Sequence, residues 1–322
     1  LAAGLGATAI HHSDWPCPAM AETQDRLRRA LEGSAIRLHL HPGHLLLHPG
    51  AIRSGSGSAY RVFTPFARAL RAHGPDQPVP APKALTIAAP PPEFDDQRRE
   101  VGALDLAPDL HSGRAVLARH ALPAGESAAL ARLEDFLDRA GGYAQGRDRP
   151  DRDATSGLSE HLALGEISPR RIWAIAAAHQ GDRDGIQKFL SELIWREFAW
   201  HLLIDFPQME TRPWRPEWQD FPWKTAEDAG LAPWRQARTG VALVDAGLRE
   251  MRVTGRMHNR VRMVVASWLT KHLLIDWRAG LGHFADSLTD WDPAANAMNW
   301  QWVAGCGPDA SPFFRIFNPE RQ

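Results

Sequence analysis

Over the first 70 residues short apolar runs alternate with polar stretches: ATAI, IRLHL and HLLL read as strands, and Glu22 to Leu31 reads as a helix between them. Strand, helix, strand is the pattern of an α/β layer. Too few strands are present for a closed parallel sheet and the chain starts at Leu1, so we expect a remnant whose first strand-helix units are missing. Seven prolines fall between Pro75 and Pro92, in PDQPVPAPKALTIAAPPP. Such a segment cannot pack as helix or central strand and reads as an extended linker. Beyond about residue 126 the apolar period becomes helical, in SAALARLEDFLDRA, SPRRIWAIAAAH, GIQKFLSELIWREFAWHLLIDF and VALVDAGLREMRV. Ser168 before Pro169 marks one helix start. The expected architecture is an incomplete α/β domain over 1–70, a proline-rich linker over 71–125, and an all-α domain over 126–322.

The longest apolar run, MVVASWLTKHLLIDW from Met263 to Trp277, is interrupted by Lys271 and His272. It falls short of the roughly 20 residues a spanning helix needs. It reads as one buried core helix, so no membrane attachment is expected.

Composition adds three points. A chain of 322 residues with 44% hydrophobic content can fill two cores. Its formal charge of −1 gives no global pull toward nucleic acid, so any such affinity must come from local patches. Cys17 and Cys306 are the only cysteines, too few for a disulfide framework or a four-thiolate metal site, which points to a reducing cytoplasm. The unusual feature is 13 tryptophans against two tyrosines.

Four stretches carry candidate chemistry. Arg252, Arg256 and Arg260 are spaced by four in a span without acids, so on a continuous helix they line one face, although Gly255 interrupts the spacing. Such a row is either a footing for phosphates or a solvated face whose acids come from elsewhere. Glu192, Trp195, Arg196 and Ala199 share a helical face in SELIWREFAW. They form either an ion pair beside core packing or a grip on a base. TSGLS, Thr155 to Ser159, is either an ordinary N-cap or a phosphate loop. In DWDPAANAMNWQW, Asp290 and Asp292 answer arginines more readily than a metal, because no histidine or cysteine cluster stands at ligand spacing.

Taken together, TSGLS with LALGEISPR, SELIWREF, RTGVALVDAGLREMRVTGRMHNRVRM, LTKHLLIDW and NWQWVAGCGPDASPFFRIFNP closely resemble the photolyase and cryptochrome flavoproteins. Within that family they are most similar to bacterial cyclobutane pyrimidine dimer photolyases. The resemblance covers roughly the last 180 residues in order and spacing, and VFTPF at Val62–Phe66 is similar to the family's exit from its α/β domain.

The resemblance implies FAD held in the helical domain. Tyr143 and the loop Thr155, Ser156, Gly157, Leu158 and Ser159 would hold its phosphates, with Arg196 nearby. Asp290 and Asp292 would contact ribose and flavin, Arg262 would pair with a carboxylate, and Asn296 would face the flavin N5. For the lesion it implies Glu192 and Asn259 as hydrogen-bonding groups, Trp195 and Trp302 as stacking walls and Met263 beneath. Arg260 and Arg315 would grip the flanking phosphates, and Trp300, Trp277 and Trp223 would relay an electron from the surface to the flavin.

The implied activity is light-driven splitting of cyclobutane dimers in UV-damaged DNA by a monomer. A blue-light photoreceptor and a (6-4) photolyase are the alternatives. Asn296, Glu192 and Met263 weigh against the first, and Asn259 and Met263 against the second. A colourless, flavin-free DNA-binding fragment is a third. The glutamate expected for a folate antenna is not evident near HHSDWPCP, so no second chromophore, folate or deazaflavin, is assigned. Arg256 stands where relatives usually carry an aromatic residue, the Trp223–Trp234 stretch is one residue long, and the chain stops before the family's last helices.

Overall fold

Two strands open the chain, β1 (Ala9–Asp14) and β2 (Arg37–Pro42), paired in parallel with Ala9 opposite Arg37 and Asp14 opposite Pro42. The computed structural model describes residues 2–86, 113–225, 230–309 and 316–320. Helix α1 (Pro18–Ala30) makes the crossover that a parallel pair requires, with Pro18 in its first turn. Gln24 ties it back to the Ser13 carbonyl.

After α2 (Phe63–His73) all the described regular elements are helical: α3 (Gly113–His120), α4 (Glu126–Asp138), α5 (Tyr143–Gly146), α6 (Ser159–Ala163) and α7 (Pro169–Ala178). They continue with α8 (Arg183–Asp205), α9 (Leu231–Arg235), α10 (Ala242–Thr254), α11 (Asn259–Ser267), α12 (Trp277–Ser287) and α13 (Pro293–Ala304). A two-stranded parallel sheet joined to a helical domain is therefore the architecture. Helix α2 runs through residue 70, and α3 lies inside the span read as linker.

Three sequence expectations need correction. HLLL is not a strand: Leu45, Leu46 and Leu47 form an irregular buried segment. Its backbone is satisfied from the helical domain, because the Leu46 and Leu47 N–H groups donate to the two carboxylate oxygens of Glu197 (2.8 and 3.0 Å) and Arg170 donates to the Leu45 carbonyl. A buried loop can persist only with such partners. The run from Met263 to Trp277 is not one helix, since α11 passes into a π-turn at Trp268–His272 and Leu274 takes a positive φ of 57° before α12 begins. Finally, α10 stops at Thr254 and Gly255 caps it in the left-handed conformation, so Arg252, Arg256 and Arg260 share no helix.

Helix α8 is the axis of the domain. At roughly 34 Å for its 23 residues, it is buried on several sides, which explains why its apolar residues are not confined to one stripe. Phe66, Ala67 and Leu70 of α2 pack against it, with Phe66 and Phe198 rings 5.2 Å apart. A second core gathers Trp234, Trp277, Trp300 and Phe284 between α9, α10, α11, α12 and α13. Among the described residues no helix is long and apolar enough to cross a membrane.

Candidate functional site

The Thr155–Ser159 loop leads into α6, but its hydroxyls do not cap it: Leu158 is the N-cap residue and makes no side-chain cap bond. Ser156 is used only by a long 3.4 Å bond from the Leu158 N–H. Gly157 has φ 61°, and the Arg132 guanidinium occupies the place a side chain there would need. One residue into α6, Glu160 accepts from the Thr289 hydroxyl and faces Arg256 at 3.2 Å. That junction sets the loop against the segment bearing Asp290 and Asp292.

Asp290 accepts from Arg262 at 2.9 and 2.8 Å, while Arg262 Nε donates to the Met257 carbonyl. Asp292 begins α13 as its N-cap, as Asp-Pro at a helix start suggests. Its Oδ1 accepts from the Ala295 N–H at 2.9 Å and its Oδ2 from Trp200 Nε1 at 2.9 Å, with Arg196 Nε at 3.5 Å. Asn296, one turn on, donates Nδ2 to the Leu281 carbonyl at 3.1 Å.

Arg196 is steered from the other domain. Its guanidinium donates to the His44 carbonyl and to His44 Nε2, both at 2.7 Å, and Trp15 Nε1 also donates to that ring nitrogen at 3.0 Å. Burial, then the Arg196 charge, pushes His44 down to about 2, so the ring is a permanently neutral acceptor. The sequence reading missed both His44 and Arg132; neither lies in a motif.

Tyr143 is placed apart from the Thr155–Ser159 loop's hydroxyls in its contacts. It packs edge-on against Phe136 and Phe189, and burial raises its hydroxyl to about 12. Arg147 lies 5.6 Å from its ring and pairs with Glu192, which also meets Lys188 at 3.2 Å. Asp148 pairs with Arg260 at 2.7 Å. Arg147 and Asp148, from the Asp- and Arg-rich stretch before TSGLS, thus draw Glu192 of α8 and Arg260 of α11 together, beside exposed Asn259 at the first position of α11. Met263, one turn beyond Asn259, is half-buried. In the arginine row, Arg256 meets Glu160 and Arg260 meets Asp148, acids supplied from elsewhere in the fold as one of the two readings required, and Arg262 pairs with a carboxylate, Asp290, as the resemblance implied.

Trp195 has one face covered by Phe63 of the VFTPF stretch, the rings parallel within 2° and 3.5 Å apart. Trp302 is half-buried, 6.4 Å from the Phe317 ring. Trp300 and Trp277 are buried in one cluster, with Trp223 packed against it. The Lys224 N–H donates to the Leu274 carbonyl and its own carbonyl accepts from the Asp276 N–H, which fixes Trp223 beside the start of α12. Trp234, unassigned in the sequence, lies 6.3 Å from Trp300. Arg315 falls outside the described residues.

A cavity of about 740 Å³ lies elsewhere, at the end of α8 among Phe206, Met209, Pro213 and Trp214. None of the candidate residues lines it, and of its two charged residues, Asp205 and Arg212, the first is already paired with Arg53, so the chemistry is assigned to the α6, α8, α11 and α13 junction.

Residues 1–83 match the DNA photolyase family, and residues 189–322 match the FAD binding domain of DNA photolyase. The deoxyribodipyrimidine photo-lyase of Synechococcus is 40% identical over the whole of this chain, which covers 67% of that protein. The chain belongs to the DNA photolyase family.

Other photolyase relatives agree. The deoxyribodipyrimidine photo-lyase of Agrobacterium fabrum is 44% identical over 94% of this chain, and that of a Thermus thermophilus strain is 41% identical over 91%. The chain spans 63% and 64% of their lengths, under two thirds. A class III photolyase structure from Agrobacterium tumefaciens superposes with a TM-score of 0.83 at 40% identity, covering 99% of this chain and 66% of that one. A Synechocystis cryptochrome gives 0.78 at 29% identity, with 99% and 66% coverage. FAD is the cofactor of the matched domain. The photolyase-family residues fit it: Thr155 and Ser156 offer hydroxyls, Arg132 and Arg196 positive charge, and Asp290, Asp292 and Asn296 polar groups for a ribose and a flavin edge. One turn past Leu158, His161 is buried against Glu166 with its Nε2 lacking a partner among the described residues.

Proposed function

We propose that this chain is the larger part of a light-driven lyase that splits cyclobutane pyrimidine dimers in UV-damaged DNA. The observation that carries the reading is the junction where Arg147 and Asp148 join Glu192 to Arg260, next to exposed Asn259 and Met263. It sets a carboxylate, an amide and a cation beside one another on two helices. A lesion that has left the base stack meets these needs, since its bases require hydrogen-bond partners and its flanking phosphates a cation.

In this account Thr155, Ser156, Gly157, Leu158 and Ser159, with Arg196, hold the cofactor's phosphates, and Asp290, Asp292 and Arg262 orient the rest. When bound, reduced FAD supplies the light-driven electron that opens the dimer and receives it back. Glu192 accepts from a base N–H, and Asn259 pairs with a base edge. Trp195 offers the face that Phe63 leaves open, while Trp302 bounds the opposite side above Met263. Asn296 presents an amide to the flavin edge, which favours the reduced ring. Trp300, Trp277 and Trp223, packed in or against one apolar cluster, suit electron passage between neighbouring indoles. Arg260 and Arg315 hold phosphates, a grip without sequence information. Tyr143, packed in the core beside Arg147, acts by positioning that guanidinium. The protein works in the cytoplasm as a monomer.

Dark binding tests this. The FAD-loaded chain should hold a duplex with one cyclobutane thymine dimer at least tenfold more tightly than the same duplex undamaged or carrying a (6-4) photoproduct. Equal affinity for all three would favour a photoreceptor, and preference for the (6-4) product the other repair activity. Glu192→Gln should remove most of the preference, since a hydrogen bond to a charged group is worth roughly 1.5–3 kcal/mol.

A further inference from the structure

Asp148 is the charged group at this junction that the proposed DNA contact does not use. It follows Arg147, just beyond α5, and divides its carboxylate between two cations: Oδ2 lies 2.7 Å from Arg260 Nη2, and Oδ1 lies 3.6 Å from Arg147 Nε. His258 also feels its charge, but burial favours the neutral ring. Arg147 already has a second, half-buried partner in Glu192, whereas Arg260 has no acid other than Asp148 among the described residues. The Asp148 side chain is 50% exposed, so the bridge opens directly to solvent.

To a guanidinium a carboxylate and a phosphodiester offer the same chemistry, two oxygens sharing one negative charge. We propose that Asp148 is a built-in stand-in for a DNA backbone phosphate, which holds Arg260 in the DNA-free protein and is displaced when the strand arrives. The inference rests on the reading of Arg260 as a phosphate contact. It makes Asp148 an affinity-setting residue: it weakens the sequence-independent grip on damaged and undamaged DNA alike, which shortens the protein's stay on either and leaves their ratio unchanged.

Ion counting gives the signature. A cation that neutralises a phosphate releases the ions condensed there, but part of that release is offset because freed Asp148 attracts salt cations when Arg260 leaves it. With Asp148→Asn that offset disappears, and the slope of log K against log salt should steepen, by no more than the roughly 0.9 of one phosphate contact. Affinity at moderate salt should rise roughly two- to fivefold, the range of an exposed ion pair. The factor should be the same for damaged and undamaged duplexes, because phosphate contacts carry no sequence information.

The experiment is dark fluorescence anisotropy of the FAD-loaded chain with both duplexes across a salt series, for wild type, Asp148→Asn, Arg260→Gln and the double variant. Support is a steeper slope and tighter binding for Asp148→Asn, both abolished in the Arg260→Gln background. A wild-type slope for Asp148→Asn, or a gain that persists without Arg260, overturns the role of Asp148 while leaving DNA binding intact. Absence of wild-type binding to either duplex overturns the DNA reading itself, and this inference with it.

Discussion

Replacing Gly280 with alanine puts a methyl group into space that Trp300 occupies. A Cβ built there would come within 2.6 Å of Trp300 Cζ2, and nearer still to the ring's far edge. Trp300 has little room to retreat: it is 2% exposed, with the Phe284 ring at 4.9 Å and Trp234 at 6.3 Å. Overpacking of a close-packed core costs typically 1–3 kcal/mol, and a rigid indole between two aromatic neighbours belongs in the upper half of that range. Against this, glycine to alanine in a helix gains about 1 kcal/mol, leaving a net loss of roughly 1–2 kcal/mol. In a protein of this size the melting midpoint should fall by about 1.5–3 °C. Gly282 is the control, two residues on in the same helix with nothing within 4 Å of a built Cβ. There only the helix gain remains, so Gly282→Ala should raise the midpoint by about 1.5 °C. Circular dichroism melts of the three proteins decide it. If Gly280→Ala melts at or above wild type, the close approach of α12 to Trp300 is wrong.

Other variants test other joints. Burial raises Glu197 to about 7 from 4.5, against the opposing pull of the Leu46 and Leu47 N–H groups and the nearby arginines. A raised folded pKa contributes stability that is present below about pH 4.5 and lost as pH climbs through about 7; depressed His44 contributes stability present above about 6.5 and lost as pH falls. The two slopes oppose each other between those limits, so Glu197→Gln should expose the His44 slope, with melts rising more steeply from about pH 5 to 6.5 than in wild type. Asp290→Asn should cost roughly 2 kcal/mol in thermal melts, less than a fully buried pair because Arg262 keeps 26% exposure, and should weaken FAD retention measured by fluorescence. Phe63→Leu removes the parallel contact with Trp195 and should lower affinity for dimer-containing DNA severalfold, at about 1 kcal/mol for an aromatic pair, while leaving the FAD affinity unchanged.

Local rules made much of the fold legible. The 3.6-residue period located α4, α7, α8 and α10 because each buries a stripe or more of its surface, and Ser168 announced its helix by capping chemistry that acts within three residues; Asp292, read as a partner for arginines, caps α13 as well. What depended on distant partners was hidden. HLLL looks like a strand, yet its backbone is satisfied by Glu197, some 150 positions away. The counter-charges of Arg256 and Arg260 come from α6 and from just beyond α5, so the local sequence could not decide between a phosphate footing and a face whose acids come from elsewhere. Gly280 carries no sign in its neighbours that an indole will rest on it. For the site, motif resemblance named the residues, but the links that hold them, His44 to Arg196 and Asp148 to Arg260, join segments with no common motif.

The most direct test of the central claim is light-dependent loss of cyclobutane dimers from UV-irradiated oligothymidylate, followed by the recovery of ultraviolet absorbance. The chain, loaded with FAD and reduced, should restore absorbance over many turnovers under blue light and none in the dark. Flavin retained with no recovery in light, or equal recovery in darkness, would contradict the account.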